Sequence, residues 1–240
     1  MPPAPAARSP RTEVGAPALE ALASRVTRCR KCPRLVAHRE SVAATRRRAF
    51  LDWDYWGRPV PGFGRTEARL LIVGLAPAAH GGNRTGRMFT GDRSGDWLYR
   101  TLHRFGFASQ AGSTARDDGL ELCDTYITAA ARCAPPDNKP TPAELATCRP
   151  YLIEEITLLP TRVVIALGKI AFESYLRARK ELGRPAPEKP RFAHLAEYRL
   201  PDITLIGSYH PSQQNTLTGR LTQEMFDAVF ARAREVLDAA

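Results

Sequence analysis

Short, continuously apolar runs alternate along this chain with segments in which apolar residues recur at helical spacing. Arg69–Leu75 (RLLIVGL), Arg162–Leu167 (RVVIAL) and Ile203–Ser208 (ITLIGS) are runs of the first kind, and Tyr126–Ala131 is a shorter one. Runs of this length that are apolar at every position read as strands covered on both faces. Between them lie the helical patterns. Leu19, Leu22 and Val26, then Leu35 and Val36, place a helix, a cysteine turn and a second helix between Pro17 and Ala44. Ser94 is a candidate cap for a helix over Gly95–Phe105. Thr141 with Glu144 three positions on forms a capping box for a helix over Pro142–Leu158. Lys169–Lys180 and an amphipathic closing segment from Gly219 onward complete the set. Buried strands alternating with helices predict an α/β fold, a three-layer α/β/α sandwich around a central, mainly parallel sheet.

In such folds ligands bind beyond the carboxyl ends of the strands. The polar segments 76–93, 132–140 and 209–220 each follow such an end, so they are expected to converge. Residues 1–17, rich in Pro and Ala and without periodicity, read as a disordered tail, leaving residues 18–240 as a single domain. The segment 50–68 is rich in Gly and Pro and reads as loop, and Arg46–Arg48 as a solvated charge run. No apolar run approaches the ~20 residues that span a bilayer, and the N-terminus has no apolar signal core. The expectation is a cytosolic protein, without membrane association and with reduced thiols.

Charge adds a partner. Of 240 residues, 35 are Lys or Arg against 25 Asp or Glu, a net charge of +10, and only five of the basic residues are Lys. An arginine surplus suits phosphate contacts, most simply nucleic acid, although GC-rich coding gives the same bias. The five cysteines add chemistry. Cys29 and Cys32 form a C-x-x-C, and Cys133 and Cys148 form a second pair about 100 residues on. Four thiolates hold a zinc ion or a [4Fe–4S] cluster, and the spacing does not choose between them. Either would staple the N-terminal extension to the α/β domain. Cys123 stands outside both pairs and reads as an ordinary buried residue. His38-Arg39-Glu40 has the H-x-E form of zinc deaminases, but no P-C-x-x-C follows it.

The first loop carries glycines for close backbone approach, an aromatic in polar surroundings (Phe89), Asn83, and the arginines Arg84, Arg87 and Arg93 as phosphate contacts. It contains no Walker lysine pattern, so nucleotide triphosphate hydrolysis finds no support. The last loop places His210 after a strand and before Pro-Ser.

These segments resemble the uracil-DNA glycosylase superfamily. GLAPAAHGGNRTGRMFTGD, ITAAARCAPPDNKPTP, SYHPSQQNTLTGRLT and the opening CRKCPRLVAHRE are similar to the family 5 (type B) enzymes over roughly residues 25 to 225. The resemblance implies a structural [4Fe–4S] cluster on Cys29, Cys32, Cys133 and Cys148. It implies catalytic roles for Asp92 and Asn138, because the acid found elsewhere in the superfamily in the first strand–loop is missing from Gly74-Leu75-Ala76-Pro77. Ala129 stands where other families read uracil with an Asn, which implies a broad range: uracil, hypoxanthine and modified pyrimidines. The expected mechanism flips the base out of the stack onto Phe89. Backbone amides of Gly74, Ala76 and Ala78 touch its carbonyls, and His210 donates a hydrogen bond to the departing O2. Asn83, Arg84, Arg87, Ser212, Gln213, Gln214, Asn215 and Arg220 are the expected DNA contacts, with Gln213, Gln214 or Asn215 filling the vacated stack. With no lysine placed as a Schiff-base nucleophile, the expected enzyme is a monofunctional, monomeric hydrolase acting on damaged DNA. Two alternatives stand beside it: a non-catalytic nucleic-acid-binding protein with a metal staple, and a zinc nucleobase deaminase.

Overall fold

A computed structural model describes residues 10–239 and, for residues 10–14, the backbone alone. Six strands form one sheet: β1 (Phe63–Gly64), β2 (Leu70–Gly74), β3 (Thr125–Ala129), β4 (Val163–Leu167), β5 (Glu197–Arg199) and β6 (Thr204–Ser208), in the order β1-β3-β2-β4-β6-β5. The four inner strands are parallel, and the two short outer ones pair antiparallel. The predicted mainly parallel sheet is therefore present. Edge strands of two and three residues leave little backbone exposed for pairing with other chains.

Successive strand residues sort onto opposite faces. Leu70 and Ile72 of β2, Val163 and Ile165 of β4, and Ile206 of β6 join one core. That core is closed by α4 (Arg93–Arg104) and α8 (Gln223–Asp238). Leu71, Val73, Val164, Ala166 and Leu205 join the other, beneath α1 (Pro10–Thr27), α5 (Pro142–Leu158) and α6 (Lys169–Glu181). This alternation explains why the strands are apolar throughout: both pleat faces are covered by helices. Two smaller helices flank the loops, α3 (Gly82–Thr85) and α7 (Gln213–Leu217), and α2 (Pro33–Thr45) follows the cysteine turn.

Several boundaries differ from those expected. Residues 1–9 of the expected disordered tail lie outside the described residues, but residues 10–17 are helical and begin α1. Asp92, and not Ser94, caps α4, accepting the Gly95 N–H at 3.0 Å. The closing helix starts at Gln223, capped by Thr222, because Gly219 adopts a left-handed φ of 72° that ends the preceding turn. Cys123 is exposed where a buried residue was expected. Among the described residues no helix is long and apolar enough to cross a membrane.

Candidate active site

The connection leaving β2 runs to β3 on one side, and that leaving β4 runs to β5, and from there to β6, on the other. Loops that diverge from neighbouring parallel strands open a crevice between them. Residues 75–92 follow β2, 130–140 follow β3 and 209–220 follow β6, and all start from the same sheet edge.

At the base of the crevice Gly74 and Ala129 are register partners at the ends of β2 and β3. The pairing continues into the loops, with Ala130 donating to the Gly74 carbonyl and Ala131 to that of Leu75, both at 2.9 Å. Phe89 lies over Gly74: a Cβ at that glycine would stand 2.8 Å from two ring carbons. The Phe89 ring is stacked on that of His210, centroids 5.9 Å apart and planes 30° from parallel. Phe89 is not a free-standing loop aromatic, as the sequence suggested. It is 9% exposed and packs into the α4–α8 core, and it holds a left-handed φ of 54°. A side chain in that region is strained, and such strain collects at functional sites.

Asp92 is joined to Phe89 through Gly95, whose N–H bonds the Asp92 carboxylate and whose Cα lies against the Phe89 carbonyl. The other carboxylate oxygen faces Gly81 so closely that a Cβ there would collide with it. Burial raises the Asp92 pKa above the ordinary carboxylate value, against the lowering effect of the Gly95 and Ser94 amides. Burial lowers the His210 pKa to about 4, so the imidazole is neutral at neutral pH and offers an N–H. Its backbone carbonyl accepts the Asn215 side-chain amide at 2.8 Å, tying α7 to it. Phe89, Asp92 and His210 are thus neighbours or near-neighbours at one edge. Asn138 is exposed on a turn where both it and Asp137 have left-handed φ, and no hydrogen bond joins its side chain to Asp92 or His210.

The first loop is bound to the protein, not offered to DNA. Asn83, Arg84 and Arg87 are 0%, 3% and 3% exposed, which does not fit the expectation that they meet DNA. Asn83 donates to the Arg39 carbonyl. Arg84 donates to the carbonyls of His80 and Gly91, with its guanidinium 4.0 and 3.9 Å from the ring centroids of Phe50 and Trp53. Arg87 pairs with Asp118 and bonds Ser113 at 2.7 Å. By contrast Gln213, Gln214 and Arg220 are exposed, and Ser212 caps α7. The same segment holds a residue the sequence did not single out: Leu217, 69% exposed. A lone leucine among polar residues carries no periodic signal. Tyr55 was missed too; its hydroxyl bonds His80 Nδ1 at 2.9 Å. The His80 pKa is lowered by burial and by Arg47, Arg84 and His38.

Cys29, Cys32, Cys133 and Cys148 line one small cavity, with Arg132 in its wall. Arg132 is 2% exposed, and although Nη2 pairs with Glu155, its Nε and Nη1 have no hydrogen-bond partner. Unpartnered buried donors beside four thiols fit a negatively charged group in that cavity. Burial pushes the Cys133 thiol up to about 12 and Cys148 to about 11, so thiolates here need a neighbouring positive charge such as a metal supplies. Among the described residues no three His, Cys, Asp or Glu side chains are grouped tightly enough to grip a single ion.

Comparison with known proteins gives the family. A family model described as Uracil DNA glycosylase superfamily matches residues 61–234. A Type-5 uracil-DNA glycosylase of Mycobacterium tuberculosis is 52% identical over 92% of this chain and 83% of its own length. One from Thermus thermophilus is 53% identical over 90% of this chain and 97% of its own. A Type-4 uracil-DNA glycosylase of Thermotoga maritima is 29% identical over 68% of each. The chain therefore belongs to the uracil-DNA glycosylase superfamily, and with it to the hydrolases that act on the N-glycosyl bond.

Proposed function

We propose that the protein excises uracil from DNA as a monofunctional glycosylase of base excision repair, and accepts hypoxanthine and modified pyrimidines besides. The observation that carries this reading is the meeting of the Phe89 ring, the neutral His210 imidazole and the buried Asp92 carboxylate at one edge of the sheet. A base within a duplex cannot reach such a pocket, so the nucleotide turns out of the stack at a cost of a few kcal/mol. The base lies on Phe89, with amides of the Gly74–Ala78 segment near its carbonyls. Leu217 is suited to wedge into the vacated stack, because an apolar side chain replaces base stacking better than the amides of Gln213 or Gln214. Ala129 lacks the side-chain amide that would select one pyrimidine edge, in keeping with a broad range.

In the reaction the bond between the base nitrogen and C1′ breaks, and its electron pair leaves on the base. His210 donates a hydrogen bond to the O2 on which that charge gathers. Asp92 stabilises the cationic sugar and orients the water that adds to C1′, taking up its proton. Asn138 assists from its turn. Cys29, Cys32, Cys133 and Cys148 would hold a structural [4Fe–4S] cluster: a cluster spreads its four thiolates over four irons, wider than one zinc ion allows. When bound it supplies a rigid cross-link. Purified protein should then be brown and lose its visible absorbance with loss of iron, and stoichiometric zinc in place of iron would overturn the assignment.

The test is base release from duplexes carrying uracil or hypoxanthine, read as alkali-labile sites. His210→Ala and Asp92→Ala should keep duplex binding and lose base release by about 10²–10³-fold, the usual effect of removing one such group. Wild-type turnover in either variant removes its assigned role, and no release of hypoxanthine by the unaltered protein removes the broad range.

A further inference from the structure

Among the described residues no hydrogen bond reaches the His210 imidazole, and burial alone moves its pKa. In the reaction proposed above that ring must be aimed at one oxygen. Its aim therefore rests on the Phe89 stack and on its own main chain. Side chains hold that main chain at three points. Asn215 donates to the His210 carbonyl at 2.8 Å, and the Ser208 hydroxyl to the Tyr209 carbonyl at 2.9 Å. The third comes from outside the catalytic loops: the Tyr209 N–H donates to His194 Nδ1 at 3.1 Å.

His194 lies just before β5, in a segment stitched to the end of β6. Leu195 N–H donates to the Gly207 carbonyl at 2.8 Å, and Gly207 N–H to the Ala196 carbonyl at 2.9 Å. Only glycine allows this approach, since a Cβ at Gly207 would stand 2.6 Å from the Ala193 carbonyl oxygen. The other ring nitrogen of His194, Nε2, meets the Met225 carbonyl in the first turn of α8 at 3.1 Å. A carbonyl only accepts, so Nε2 carries the ring proton and Nδ1 is left as the acceptor that Tyr209 needs. Burial lowers the His194 pKa and so favours this neutral tautomer. The ring also packs on that of Tyr209, centroids 5.0 Å apart and planes 32° from parallel. One imidazole thus ties the start of α8 to the peptide one residue before His210. We propose that His194 is a positioning residue for base release, setting the main chain that aims His210. Imidazole suits this duty because it accepts at one ring atom and donates at another, where an aliphatic side chain would leave the Tyr209 N–H unpaired. The inference rests on the role given to His210 in the proposed function.

The test is uracil release from a duplex under single-turnover conditions, which separate chemistry from binding and product release. His194→Gln keeps a donor near the place of Nε2 and loses the acceptor at the place of Nδ1. Its rate should fall by about tenfold to hundredfold, the order that a small misplacement costs, with duplex affinity unchanged. His194→Asn returns an acceptor near the place of Nδ1 and should recover most of the rate. A histidine that only supports the fold would show no such order between the two amides. In a His210→Ala background His194→Gln should cost nothing further, because its effect travels through His210. Wild-type rates in His194→Gln, no recovery in His194→Asn, or losses that add in the double variant each overturn the proposal. Wild-type turnover in His210→Ala alone removes the reading of His210 instead, and this inference falls with it.

Discussion

Asp92 serves two purposes with one carboxylate. One oxygen caps α4 through the Gly95 amide, and the other is pressed against Gly81. Capping fixes the group, and burial makes it a stronger base than an exposed aspartate. Gly81→Ala should therefore displace the carboxylate without unfolding the protein. Misplacement by about 1 Å costs on the order of 10²-fold in rate, so base release should fall by that order with duplex binding kept. Unchanged release would show that Asp92 does not need this position. His210 makes a pH prediction. Its pKa falls from 6.5 to about 4 on folding. Above pH 6.5 the ring is neutral in both states and adds no pH dependence. Between 6.5 and about 4 the unfolded chain takes up the proton first, so stability falls as the pH drops through that window. Titration of the His210 ring followed by NMR should give a midpoint near 4; a midpoint above 6 would mean a solvated, charged imidazole and a different role in the reaction.

At the scale of elements, α5 shows what local sequence can specify. Thr141 accepts the Glu144 N–H at 3.2 Å while Glu144 accepts the Thr141 N–H at 2.7 Å, the box its spacing predicts. The same Glu144 receives Arg34 of α2 at 2.8 and 2.7 Å, so the cap also holds together the two cysteine-bearing segments. Thr141→Ala should cost about 1 kcal/mol of stability in chemical denaturation, the usual effect of losing a cap; no loss would mean that α5 is held by tertiary packing alone. The four inner strands were equally legible, since covering both faces leaves an apolar run that nothing else in the chain mimics; the short edge strands were not, β1 falling in the segment read as loop and β5 carrying no apolar run. Legibility failed where one residue type serves two ends. Asp92 and Ser94 are both good caps, and spacing does not choose between them. Asn83, Arg84 and Arg87 have the composition of a phosphate-binding loop and the environment of a core, because their partners are backbone carbonyls and Asp118, which no sequence pattern announces. The start of α1 was hidden by Pro and Ala without periodicity.

Across the whole molecule, two cysteine pairs about a hundred positions apart come to line one cavity. That meeting was expected from the sequence, but the buried Arg132 beside it was not, since arginine is rarely read as an interior residue. The cavity joins the turn between α1 and α2 to α5 and to the loop after β3. The proposed cluster would there tie the N-terminal helices to the strand that ends at Ala129. On that proposal, removal of its iron, or Cys133→Ser, should lower the thermal midpoint and expose the α1–α2 segment to protease, with the sheet itself surviving. A thermal midpoint unchanged by iron removal would leave the thiols without a structural duty.

The clamp on Arg84 has a bearing on how targets are chosen. With its guanidinium packed against Phe50 and Trp53 and its Nε and Nη2 held by two carbonyls, the loop that shapes the pocket is set before any duplex arrives. On the proposed base-flipping mechanism little of the protein then remains to be rearranged on encounter, and the work of opening falls on the double helix. Nucleotides held loosely by their opposite partner would need the least of that work, so the firmness of each base pair itself would take part in the search.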